Sequence, residues 1–396
     1  MPSSTPTLPA TYYDLMLQRP PLFMECVHKD LAHIEHSGIV GPFGSTDEFS
    51  VNYDTYHNDA VQHYKKILNQ KMDAGLIKDS ATREHLISEY LASDTYNMMQ
   101  YSIHAEYLTM VNFLLFGKKT FYIQDNIAKS LSFTDLEVDS HFLRLPFKSC
   151  LFVYTSPVAI SALHAIEGEE RTEPDYLSPV SVFLMERPAE EGLFKIVMAC
   201  WHASQHATHM FIKRELLVKE GWKLSEAINT DWRDIYKSEF EGKETIDEEM
   251  FYEGGFSFFR MVLNSVLYLS TNDPDVINCV SAREMITSKA ATVPSVKKRR
   301  LLVRRAERSS FLNYSSVGSH IQPITIDKSG PRSSPPDALA SKLPVMKRFV
   351  VRGHWRHQAH GQSAIQRKLI WIEPYYKGPE LGELINKPYK LKYNGT

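Results

Sequence analysis

At 396 residues, with 43% hydrophobic and 23% charged side chains, the chain has an ordinary globular composition and enough apolar residues for a sizeable core. Its 45 Lys+Arg and 47 Asp+Glu leave a formal net charge of −2, which excludes a global field drawing it to nucleic acid or membrane. Any such binding must come from local clustering. The four cysteines, Cys26, Cys150, Cys200 and Cys279, are dispersed without a CxxC, which suits a reduced chain with buried thiols and argues against a cysteine zinc site.

Met1-Pro2-Ser3-Ser4 opens without a charged start or an apolar run, and no stretch is long and apolar enough to span a bilayer. The expectation is a soluble, cytoplasmic chain with no membrane partner. Residues 1–50 are loop-rich, broken by six prolines up to Pro42. A helix is expected from about Asn58 to Met72, stopped by Gly75. A second helical region should run from about Thr82 to Leu115, before Gly117. Strands are expected at Leu151–Tyr154, Val180–Leu184 and Phe194–Cys200, with Thr208–Ile212 as hairpin partner of the last. Helices return at Leu224–Tyr236 and Phe256–Leu269, the latter apolar on most sides and therefore buried. Asn272-Asp273-Pro274 has the chemistry of a further helix start. Residues 328–344 form a Pro/Ser-rich linker. Beyond it, Arg348–Arg356 and Lys368–Ile372 predict a hairpin whose loop contains Gly361. Two strands are not stable alone, so the hairpin should dock back onto the central sheet. The parts are then 1–120, a loop-rich start and helical layer; 121–327, a central α+β unit; 328–344, the linker; and 345–396, a basic aromatic hairpin. The fold class is α+β, with a helical N-terminal layer, a mixed and mostly antiparallel central sheet, and a C-terminal β-hairpin.

Three clusters could carry chemistry. His202, His206 and His209 would share a face on a helix and could hold zinc, but their flanks favour a strand and turn, so no metal or other cofactor is expected. Lys297–Arg308 holds seven basic residues and one acidic, interrupted by Leu301, Leu302 and Val303. It is either a solvated helix face or a phosphate-contacting surface, with Lys297, Lys298, Arg299 and Arg300 as candidates. Lys347–Lys377 holds seven Lys or Arg against Glu373, with Phe349, Trp355, Trp371, Tyr375 and Tyr376 among them. Strand alternation puts Arg352, His354 and Arg356 on one face and Gly353 and Trp355 on the other. Cations beside rings suit unpaired RNA, with Arg352, His354, Arg356, His357, Arg367 and Lys368 as contacts. The alternative is structural: Trp355 and Trp371 in the core and Arg352 paired to a carboxylate such as Glu373. His354 with an arginine could also act as a general acid–base at a phosphodiester. No phosphate-binding glycine loop, GxSxG or HExxH is present.

An ordered set of landmarks resembles a family of proteins from phages and other mobile elements, one of which is a type V-A anti-CRISPR protein acting on its target's messenger RNA during translation. The landmarks are Leu145-Pro146 before a strand, Gly221 with Leu224, Glu226 and Ala227, Val262–Leu269 then Pro274-Asp275, and Val317-Gly318. Arg352-Gly353-His354-Trp355 follows, with Gly361 and Ile370-Trp371-Ile372-Glu373-Pro374. The resemblance covers about residues 100–377, and residues 1–100 fall outside it. It implies a regulator or anti-defence protein acting on gene expression, with RNA or a ribosome-associated transcript as partner. A host or rival-element protein as partner, bound without catalysis, and a metal-independent ribonuclease are the alternatives.

Overall fold

A computed structural model of the chain describes residues 7–17, 21–37, 62, 65–66, 68–166, 179–188, 193–202, 210–219, 221–239, 248–321, 349–361 and 366–377. The elements are α1 (Tyr12–Met16), α2 (Pro21–Ser37), α3 (Ser80–Leu91), α4 (Asp94–Leu115), β1 (Thr120–Ile123), α5 (Asp125–Ser132), β2 (Ser149–Tyr154), α6 (Pro157–Ile166), β3 (Val180–Pro188), β4 (Leu193–His202) and β5 (Met210–Lys219). They continue with α7 (Leu224–Glu239), α8 (Glu248–Leu269), β6 (Val276–Cys279), α9 (Ala282–Thr292), α10 (Val296–Glu307), β7 (Tyr314–Val317), β8 (Phe349–Val351), β9 (His354–His360), β10 (Gln366–Ile372) and β11 (Tyr375–Lys377). The linker 328–344 lies outside the described residues, as does most of the helix expected from Asn58. Residues 68–73 of that helix are helical, and Gly75 follows them with φ +71°.

Seven strands form one sheet in the order β5-β4-β3-β2-β1-β7-β6. Neighbours are antiparallel except β2/β1 and β1/β7, so the sheet is mixed and mostly antiparallel. Helices cover both faces, which explains the unbroken apolar run at the centre: every residue of β2 is buried. Alternation sends Cys150, Phe152 and Tyr154 toward α5, α6, α7 and α8, and Leu151 and Val153 toward α1, α2 and α4. The chain is thus an α+β protein with a helical N-terminal layer.

That layer is tied down by polar contacts. Thr11 caps α1, and the buried Asp14 carboxylate accepts from the Thr11 N–H at 2.7 Å and from the Phe311 N–H at 2.9 Å. The Tyr12 hydroxyl bonds Glu106, and that of Tyr107 bonds Asp30, both buried pairs. Burial first, then Asp30, pushes the Tyr107 hydroxyl far above its ordinary value.

The structure corrects three expectations. Pro274 does not open a helix: the residues after it pair with β7, Val276 opposite Val317. The next helix begins only at Ala282, capped by Ser281, whose Oγ accepts from the Arg283 N–H. The C-terminal strands run further than expected, to His360 and from Gln366. They also do not pair with the central sheet. β9/β10 and β8/β11 form two separate two-stranded ladders, and Trp355, Leu369 and Trp371 pack against the cluster containing α5 and α8.

Candidate nucleic-acid interface

The hairpin is fixed where its sequence changes character. At Gly353 the backbone meets the end of α5: the Asp135 N–H donates to the Gly353 carbonyl at 2.9 Å, and Thr134 forms a parallel bridge with Gly353. A Cβ at 353 would collide with Thr134 Oγ1 and lie 3.0 Å from Pro374 Cδ, so glycine is required by close approach. The tryptophans on either side are anchors. Trp355 Nε1–H donates to Asn264 Oδ1 at 2.7 Å, and Trp371 Nε1–H to Thr134 Oγ1 at 3.0 Å. Asn264 is fully buried in α8, and its amide donates to the carbonyls of Leu131 and Thr134 at 3.0 and 2.9 Å. The Trp371 ring meets Tyr268 edge-on with centroids 5.3 Å apart.

This docking divides the candidate cations. Arg352 sits in the break between β8 and β9, where its Nη1 lies 3.2 Å from Asp135 Oδ1; its carboxylate is Asp135, not Glu373. Cross-strand register pairs Trp355 with Trp371, His357 with Leu369 and Ala359 with Arg367 on one face. The other face carries His354, Arg356 and Lys368. The His357 ring lies tilted against Phe142, with centroids 4.9 Å apart. His354 Nδ1 lies 3.4 Å from the Arg352 carbonyl, with no carboxylate paired to it among the described residues. Among the described residues, none orients His354 as a base.

The second basic cluster stands apart. α9 and α10 form a helical hairpin in which Ala290 and Ala306 are the buried residues. Ser295 caps α10, accepting from the Lys298 N–H at 3.4 Å, and the Arg299 guanidinium donates to the Val293 carbonyl at 3.1 Å. Lys297, Lys298, Arg299, Arg300, Arg304 and Arg305 are all exposed, and none makes an ion pair among the described residues. Lys297, Arg300 and Arg304 follow one another at helical spacing, so they form a stripe on one face. Leu301 is 71% exposed beside them, so the helix face is mixed cationic and apolar.

His202 ends β4 opposite Met210; His206 and His209 lie outside the described residues. No group of three metal-ligating side chains occurs among the described residues. No described helix is long and apolar enough to cross a membrane.

The sequence did not single out a cavity of about 560 Å³ between the end of α8 and β10, lined by Tyr268, Asp275, His320, Lys368, Trp371 and Glu373 among others. Asp275 accepts from the His320 N–H at 2.6 Å and contacts His320 Nδ1 at 2.8 Å, while its carbonyl accepts from the Gly318 N–H at 2.8 Å. Partial desolvation beside the cavity raises the carboxyl of Glu373, whose side chain still reaches solvent. Pro274-Asp275 and Val317-Gly318, separate landmarks along the chain, are therefore one structural joint.

The landmarks converge on the core and on the hairpin's attachment to it, the pattern of a shared scaffold. A family model agrees: AcrVA2-like, the anti-CRISPR type V subtype A2 family, matches residues 123–376. The match spans more than half of the 396 residues, and the chain belongs to this family of phage anti-defence proteins. It begins at the last residue of β1 and ends in β11, leaving α1 to α4 outside. No curated protein matches the chain.

Proposed function

We propose that this anti-defence protein acts on gene expression through RNA, binding a transcript, free or in a translating complex, with α10 as the phosphate-contacting helix. The observation that carries the reading is the set of six exposed, unpaired cations on α10 in a chain whose net charge is −2. Backbone contact by such residues is independent of sequence and releases counterions, so affinity should fall steeply with salt. Arg356 and Lys368, on the outer face of the hairpin, offer a second cationic strip. Such an action belongs in the cytoplasm, beside ribosomes.

The test is binding of labelled RNA over a salt series by the wild type and the quadruple variant K297Q/K298Q/R299Q/R300Q. Single-stranded contacts contribute about 0.7 each to the log–log salt slope, so the variant should lose about 2 to 3 units of slope. Equal affinity and slope in both proteins would reject α10 as the contact. A protein partner is the second reading, and exposed Leu301, Val303 and Met285, at 71%, 42% and 64%, favour it. Under that reading L301S/V303S abolishes activity while RNA retention stays unchanged.

A further inference from the structure

The cavity between the end of α8 and β10 has a volume of about 560 Å³, the size of a small-molecule site. Much of its wall is apolar: Tyr268, Pro274 and Ile321, and along β10 Leu369, Ile370 and Trp371. The polar groups of both rings are engaged elsewhere. The Trp371 indole N–H donates to Thr134 Oγ1 at 3.0 Å, and the Tyr268 hydroxyl oxygen accepts from the Asp275 N–H at 2.9 Å. What they offer the cavity is ring surface. Three polar lining residues are satisfied within the protein. Thr271 Oγ1 donates to the Tyr268 carbonyl at 2.7 Å, and the Asp275 carboxylate holds the His320 N–H and ring at 2.6 and 2.8 Å. Asp273, Lys368 and Glu373 differ: none makes a side-chain hydrogen bond or ion pair among the described residues. Along the chain, Lys368 comes first on the β10 wall and Glu373 last, just past the strand's end, with Trp371 between them. Partial desolvation raises the Glu373 carboxyl, so N–H donors brought by a ligand relieve a cost already present in the free protein.

We propose that this cavity receives a guanine base, seated on the apolar walls with its Watson–Crick edge at Glu373 and its phosphate toward Lys368. The lining selects the ligand in steps. A bare phosphate is disfavoured, because Asp273, Asp275 and Glu373 outnumber Lys368 and His320. The ligand must bring N–H donors to Glu373 and an apolar body to the walls, which describes an unpaired base lying against aromatic side chains. Among the bases of RNA, guanine alone presents two adjacent donors, N1–H and the N2 amine, which one carboxylate accepts as a pair. Adenine and cytosine set a ring nitrogen acceptor beside their amine, and uracil flanks its one N–H with two carbonyls. Those acceptors meet the carboxylate with like partial charge. The guanine can come from a transcript or from a free guanine nucleotide. Only the first source rests on the RNA reading above, which it deepens by giving a bound strand a base preference that phosphate contacts on α10 do not supply.

The experiment is titration calorimetry of the full chain with guanosine and inosine monophosphates, with adenosine monophosphate and putrescine for comparison. Inosine keeps N1–H and lacks only the N2 amine. Wild type should bind the guanine nucleotide about tenfold more tightly than the inosine one, the worth of one hydrogen bond to a charged group. Adenosine monophosphate should bind no better than inosine monophosphate. Glu373→Gln offers a single acceptor and should bind the guanine and inosine nucleotides alike, at the weaker level. The wild-type comparison changes the ligand rather than the protein, so it holds even if Glu373→Gln fails to fold. Equal binding of the two nucleotides by wild type, no guanine-nucleotide binding at millimolar concentration, or a preference kept in Glu373→Gln overturns the proposal. So does putrescine binding as tightly as guanosine monophosphate, since an aliphatic diamine would then satisfy the carboxylates without a ring. Single-stranded oligonucleotides carrying one guanine or one inosine at the same position identify the source. A Glu373-dependent preference for the guanine strand, beside that for the nucleotide, identifies RNA. Strands bound equally, beside a Glu373-dependent nucleotide preference, identify a free nucleotide. Nucleotide preference with no strand binding at all leaves the site standing and removes the RNA reading. Strand binding that depends on α10, with no preference in either ligand pair, removes the site and leaves the RNA reading standing.

Discussion

Trp355 contributes its ring and one directed hydrogen bond. Replacing it with Phe keeps most of the apolar contact but leaves Asn264 Oδ1, fully buried, without its donor. The cost of such an orphaned acceptor is about 1–3 kcal/mol, so W355F should lower the urea midpoint by that equivalent with little change in slope. Glu373 behaves oppositely. Partial desolvation raises its folded carboxyl above the unfolded value, so the native state binds its proton somewhat more tightly than the unfolded state. Below the unfolded value both states are protonated and the residue contributes no difference. As pH rises through the folded value, the unfolded state gains the advantage of ionising first, and stability is lost. E373Q removes this penalty. It should therefore be slightly more stable than wild type at pH 7, and urea midpoints of the two should converge in acid. A wild type more stable than E373Q at neutral pH would mean that the carboxylate has a partner in the cavity.

Elements differ in how far their sequences announce them. β2, β3 and β4 are legible as apolar runs because helices bury both faces of the sheet. β1 has strand-favouring side chains, Thr120 to Ile123, but only four of them, and the equally short β6 and β7 are diluted by Asn278, Ser315 and Ser316, so each leaves a weak signal. Ladder pairing with distant segments makes them, and sequence spacing does not carry that information. Asn272-Asp273-Pro274 has helix-start chemistry, yet pairing of Val276 with Val317 prevails over that local preference. The hairpin's attachment had one legible sign, a polar Asn264 inside the apolar run of α8, since a buried amide requires partners. Its partners, from α5 and β9, are far away in the chain. α10 was legible as a basic helix because its charges are local. The same locality makes it tolerant: its side chains are mostly exposed, and like charges at helical spacing repel. K297Q/K298Q/R299Q/R300Q should hence stay within about 0.5 kcal/mol of wild-type stability, which keeps its RNA measurement interpretable.

At the scale of the molecule, the first and the last described segments are held in different ways. Residues 7–17 are sewn into the core by backbone bonds, Ala10 N–H to the Arg308 carbonyl at 2.8 Å and Ser310 N–H to the Leu8 carbonyl at 3.1 Å, and by the buried Asp14. The family match omits this segment, but the fold does not treat it as an appendage. The C-terminal ladders share no strand pairing with the seven-stranded sheet. What joins them to α5 and α8 is the Gly353 contact, two indole N–H bonds, the Arg352–Asp135 pair and the packing of Trp355, Leu369 and Trp371. A two-stranded ladder is marginal alone, so it stays ordered only while that contact persists. The hairpin should then open as a unit at a free energy below that of global unfolding. In native-state hydrogen exchange, amides of β9 and β10 should lose protection at lower denaturant than those of β2 and β3. W355F should lower the first opening energy by about 1–3 kcal/mol, the cost of the lost bond. Amides of β2 and β3 should shift by the same amount only if they exchange through global unfolding with the hairpin. Identical denaturant profiles for all four strands, in wild type and W355F alike, would show that the hairpin and the core open together, and that Trp355 and Trp371 bind more firmly than their few polar contacts account for.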